Sequence, residues 1–148
     1  SGASNFSTWL LHTGSALGET GTDANWKFLV GDYDRDGVPD LYVVSKVATG
    51  TRSTEVHVLS GAANYGAWLL HNGTPLGETG STHAWDFALA DLNGDGALDF
   101  YAFAKSATGT GSTEVHVLSG GDNFQSWLLH TGTALHVTGT DDVWQFGL

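Results

Sequence analysis

The stretch Trp85–Asp99 reads WDFALADLNGDGALD, and 59 residues earlier Trp26–Asp40 reads WKFLVGDYDRDGVPD. Both open with an alternating apolar run, Trp-x-Phe, the period-two signature of a β-strand with one buried face. Both then enter a nine-residue loop of the form D-x-[DN]-x-D-G-x-x-D. A strand that runs into an acidic, Gly-bearing loop and emerges into a second apolar run (LYVV or FYAF) predicts antiparallel β-structure, not helix.

Working outward, the same period holds everywhere. Trp9, Trp68 and Trp127 are 59 residues apart, as are Trp26, Trp85 and Trp144. Residues 5–63 and 64–122 align without a gap at 32 identical positions, and a partial third copy runs over 123–148. The chain is one repeat domain, 1–148, of two full copies and part of a third. Four strands are expected per period. In the first copy they are Ser7–His12, Trp26–Val30, Leu41–Lys46 and Glu55–Leu59. Trp26, Phe28 and Val30 are expected to share one face, and almost no helix is expected.

The two loops carry the clearest chemistry. Asp32, Asp34, Asp36 and Asp40 lie in the first, Asp91, Asn93, Asp95 and Asp99 in the second. A hard cation such as Ca²⁺ takes six to eight oxygens at about 2.3–2.6 Å. Residues at loop positions 1, 3 and 5 turn inward, Gly37 or Gly96 allows the bend, and the carbonyl of Val38 or Ala97 is the next donor. Asp40 or Asp99 closes the site. The opening spacing is that of an EF-hand, but strands flank the loop and the Glu at position 12 is missing. Unneutralised carboxylates at this density repel, and the pattern occurs twice, so two Ca²⁺ sites are expected.

Four antiparallel strands per period, with Trp-x-Phe entering an Asp-rich loop, resemble the FG-GAP/VCBS repeat family over essentially the whole chain. The resemblance implies an all-β, propeller-like fold with the Trp-x-Phe strand innermost and the WLLH strand outermost. It also implies a secreted or extracellular protein, since the family includes integrin α-subunit heads and propeller lectins of fungal and bacterial hydrolases. The strand sequence does not close into a standard ring. Both ends carry an outermost–innermost strand pair, so either the ends complete each other, within the chain or between copies in a homo-oligomer, or the fold is a compact non-propeller variant. With Ser1 as its first residue and no leader-like stretch, the chain is expected to be a mature form or an excised domain.

Composition narrows the partners. The formal charge is −11, with only five Lys and Arg. This disfavours nucleic acid, whose phosphates need cationic neutralisation, and it disfavours anionic membrane surfaces. With no Cys there is no disulfide framework and no thiolate chemistry. No nucleophile elbow, HExxH pair or phosphate-cradling loop is present, so no enzyme is expected. The remaining candidates are Trp9, Trp68 and Trp127, each followed three residues later by His12, His71 or His130. Exposed Trp faces stack on sugar rings and His bonds hydroxyls, which points to a non-catalytic carbohydrate-binding module for GlcNAc-containing polysaccharide or peptidoglycan. The competing reading makes these Trp packing residues in a protein-binding or structural segment. His57 and His116 recur on the fourth strand, but no strand carries two His at i and i+2, so a transition-metal site there needs a cross-strand partner.

Overall fold

The computed structural model describes residues 1–147. Eight strands form two antiparallel four-stranded sheets. The first comprises β1 (Trp26–Gly31), β2 (Asp40–Ser45), β3 (Ser53–Leu59) and β4 (Trp68–Gly77). The second comprises β5 (Trp85–Ala90), β6 (Asp99–Ala104), β7 (Ser112–Leu118) and β8 (Trp127–His136). Helix is confined to two single turns, Gly2–Ser4 and Gly120–Asp122. Within each sheet the strands lie in chain order, so Trp-x-Phe sits at one edge and WLLH at the other. The sheets do not close into a ring, and the fold is all-β without being a closed propeller.

Each sheet borrows its last strand. The sheets span residues 26–77 and 85–136, whereas the sequence period divides at 64 and 123. The WLLH segment that opens one copy therefore completes the sheet of the copy before it. This explains a failed expectation. Ser7–His12 has the sequence of β4 and β8 yet joins no sheet, because the described residues ahead of it hold no β3-like strand to pair with it, and a lone strand leaves its backbone groups to water. The turn before it does form. Asn5 and Phe6 adopt the left-handed conformation of Asn64–Tyr65 and Asn123–Phe124, and Phe6 N–H bonds to Ser1 O just as Tyr65 does to Ser60 O and Phe124 to Ser119 O. Local turn chemistry survives where the long-range ladder is missing. Trp144–Gly147 likewise forms no strand, so among the described residues the two ends do not build a shared sheet.

The core lies between the sheets. Tyr42, Val44, Val56, Val58 and Leu76 of the first meet Phe87, Phe100, Ala102 and Leu118 of the second, with Phe124 inserted from the turn after β7. Burying each large side chain stabilises by about 1.5–3 kcal/mol. The strands β1 and β5 approach one another directly. Trp26, Phe28 and Val30 do share a face, but it is the outer one: Phe28 is 45% and Val30 67% exposed. Leu29 faces the core instead.

Candidate functional site

The Asp loops are built by short-range bonds. In the first, Asp32 accepts the Asp36 and Gly37 amides, Asp34 also accepts the Asp36 amide at 3.2 Å, and Asp36 accepts the Val38 amide at 2.7 Å. In the second, Asp91 accepts from Gly94 and Gly96, Asn93 from Asp95, and Asp95 from Ala97. The Ala97 amide and the Asn93 side-chain amide hold the Asp95 carboxyl below its usual range. Gly37 and Gly96 carry positive φ, which glycine adopts without the Cβ penalty.

Asp40 and Asp99 do more than close a loop. Both are fully buried. Asp40 accepts the Tyr33 amide on one oxygen and the Gly61 amide on the other, each at 2.8 Å. Asp99 does the same with Leu92 and Gly120. Each ties the start of its Asp loop to the turn after the third strand. Nothing in the local spacing signals this, because the second amide lies 21 residues away.

The two loops differ as cation sites. Asp32, Asp34 and Asp40 each bring one carboxylate oxygen within 4.8 Å of the others, a separation compatible with oxygens about 2.3–2.6 Å from one Ca²⁺. In the second loop neutral Asn93 stands where Asp34 stands, and its side-chain amide donates to Asp95 at 2.9 Å. Among the described residues, no three acidic or histidine side chains converge there. Asp36 and Asp95 face their own backbone in both loops.

The second cluster lies on β3–β4 and β7–β8. Antiparallel register sets His57 opposite His71 and His116 opposite His130. Their ring centroids are 4.1 and 4.3 Å apart. Trp68 stands edge-on to both rings of the first pair and Trp127 to both rings of the second. Glu55 and Glu114 approach His57 and His116 at 3.3 and 3.4 Å. Burial, then the neighbouring His, pushes His57 and His116 below the usual imidazole value. Bonds from Thr51 outweigh burial and hold Glu55 low, and the Thr110 amide does the same for Glu114.

Of the sequence candidates, Trp68, His71, Trp127 and His130 are thus placed together, with His57, Glu55, His116 and Glu114 added to them. Trp9 and His12 touch each other at 5.0 Å but stand apart, with Trp9 81% exposed. The histidine partnership escaped sequence reading because it depends on register, which bulges after Ser53 and Val58, and after Ser112 and Val117, shift.

No protein-family model, curated protein or solved structure matches the chain. No helix among the described residues is long and apolar enough to cross a membrane.

Proposed function

We propose that this chain is a calcium-stabilised, non-catalytic glycan-binding module of a secreted protein. The observation that carries the reading is the half-exposed Trp at matching places on the outermost strands: Trp68 at 39% and Trp127 at 37%, each beside a polar His pair. An aromatic face next to imidazole and carboxylate groups suits a sugar, which has apolar C–H faces and a hydroxyl rim. The repetition gives avidity on a polymer, because the second contact is intramolecular once the first has formed. The acidic charge favours a neutral or amine-bearing glycan, of which GlcNAc polymers and peptidoglycan are the proposed class. The Asp loops hold Ca²⁺ and pin β1 to β2 and β5 to β6.

The test is retention on insoluble chitin and on bacterial cell walls. Wild-type protein is retained and eluted by soluble GlcNAc oligomers. The Trp68→Ala, Trp127→Ala double variant, with its fold checked by circular dichroism, is not. Equal retention of the two overturns the reading.

One observation favours a second reading, a structural or protein-binding segment. The exposed face carrying Phe28 and Val30 repeats the positions of Phe87 and Leu89, which in the second sheet lie against the first. A further sheet of the same kind, from a second copy meeting it through its terminal segments, would cover that face. Sedimentation showing only monomer at all concentrations removes this reading.

A further inference from the structure

We infer that each His pair, His57–His71 and His116–His130, is a binding site for a divalent transition-metal ion, distinct from the calcium loops and independent of whether the neighbouring Trp holds a glycan. Three observations converge on it. The first is the distance between donor atoms. Nδ1 of His116 and Nδ1 of His130 are 3.0 Å apart. Two imidazole nitrogens bound to one metal at about 2.0–2.1 Å sit about 2.9 Å apart at a right angle and about 3.4 Å apart at the tetrahedral angle. The observed spacing falls between the two, so an ion enters with little movement of the backbone.

The second is the carboxylate behind the pair. In both sheets the inner histidine turns Nε2 toward a glutamate, Glu55 or Glu114. Metal-binding imidazoles are commonly held this way, one nitrogen facing the ion and the other donating to a carboxylate; Nε2 of His116 stands 3.4 Å from Glu114 without a hydrogen bond, and a small turn of the ring on metal binding closes it. Glu55 and Glu114 are themselves anchored by Thr51 and Thr110. The third is an unmet donor or acceptor. His57 is 4% exposed, and its Nδ1 has no hydrogen-bond partner, a costly arrangement for a buried polar atom. In the first sheet the rings are stacked with a 27° tilt, and rotation of the exposed His71 ring aims its nitrogen at the same point.

The chemistry selects the ion. Neutral imidazoles without thiolates suit Cu²⁺, Ni²⁺ and Zn²⁺, with Cu²⁺ tightest in the general order of affinities. Imidazoles bind a metal in their neutral form. Before binding, one Nδ1 of the second pair donates its proton to the other. On binding, that imidazole moves its proton to Nε2, so the pair loses no net proton. Water completes the coordination on the side of the exposed His71 and His130.

The experiment is a titration of the whole chain with Ni²⁺ in saturating Ca²⁺, so that the Asp loops are already filled. Calorimetry is expected to give one Ni²⁺ per sheet. The imidazole proton resonances of His57, His71, His116 and His130 broaden, and those of His12, His83 and His136 do not. The exposed His71→Ala and His130→Ala substitutions each remove one ion, and together they remove both, while the circular dichroism spectrum is unchanged. Glu114→Gln weakens the second site by about 10- to 100-fold, the range for such supporting groups. Absence of saturable Ni²⁺ binding overturns the inference, as does binding that survives the double variant or depends on His83.

Discussion

Phe28 and Phe87 occupy one position of the repeat, third residue of the Trp-x-Phe strand, in sheets with the same strand order. Phe87 is 1% exposed and stacks on Phe100; Phe28 is 45% exposed. What separates them is the neighbour. The second sheet has the first against this face, and among the described residues the first sheet has no such neighbour. Burial in a repeat is a property of the junction between units, whereas hydrogen-bonded turns and strand ladders are properties of the unit. The main hydrophobic cluster of this molecule is accordingly one inter-sheet layer.

That contrast can be broken by substitution. Phe87→Ala should cost about 3–5 kcal/mol in denaturant unfolding, as large-to-small core changes do. Phe28→Ala should cost under about 1 kcal/mol, within the range of surface positions. Equal losses would mean that Phe28 is covered in solution. Next in size are the features internal to each sheet, which should respond in pairs. A Cβ on Gly61 would lie 2.1 Å from Pro39 O, and one on Gly120 2.2 Å from Leu98 O. Gly61→Ala and Gly120→Ala should each lose about 1–3 kcal/mol, as overpacked sites do, and by the same amount. A large inequality would show that the two sheets are not equivalent even locally.

Calcium sharpens the comparison at the loops. A loop that binds Ca²⁺ as proposed would add about 2.7 kcal/mol at calcium 100-fold above its Kd. Melting curves in Ca²⁺ and in EDTA should therefore differ, and Asp34→Asn, which gives the first loop the side-chain donors of the second, should narrow the gap. Superimposable curves would rule out calcium stabilisation. The smallest effect belongs to Trp9→Ala, which should leave the melting temperature within error, because Trp9 is 81% exposed.

The period, most of the strands and both Asp loops were legible from residue types, because alternation and turn chemistry are local; the order of strands within a sheet was an expectation carried by the family resemblance. Two things were not legible. The first is where a strand finds its partner. Trp9-Leu10-Leu11-His12 and Trp68-Leu69-Leu70-His71 are the same four letters, yet only the second is a strand, since only it has β3 beside it. The second is what meets across a bulged hairpin. His57 and His71 recur at fixed intervals in the sequence, but their contact needed a register that bulges had shifted. Asp40 shows both sides: its place in the loop motif was readable, and its grip on the Gly61 amide was not.

The offset between repeat and sheet also bears on how such a chain lengthens. The unit that is copied, about 59 residues, is not the unit that folds. A duplication inserted at a period boundary leaves no sheet short of a strand, because whichever copy follows supplies the missing outer one. Every added unit is then stitched to its predecessor by a full β-ladder, not by a linker alone. Growth and attachment become a single genetic event.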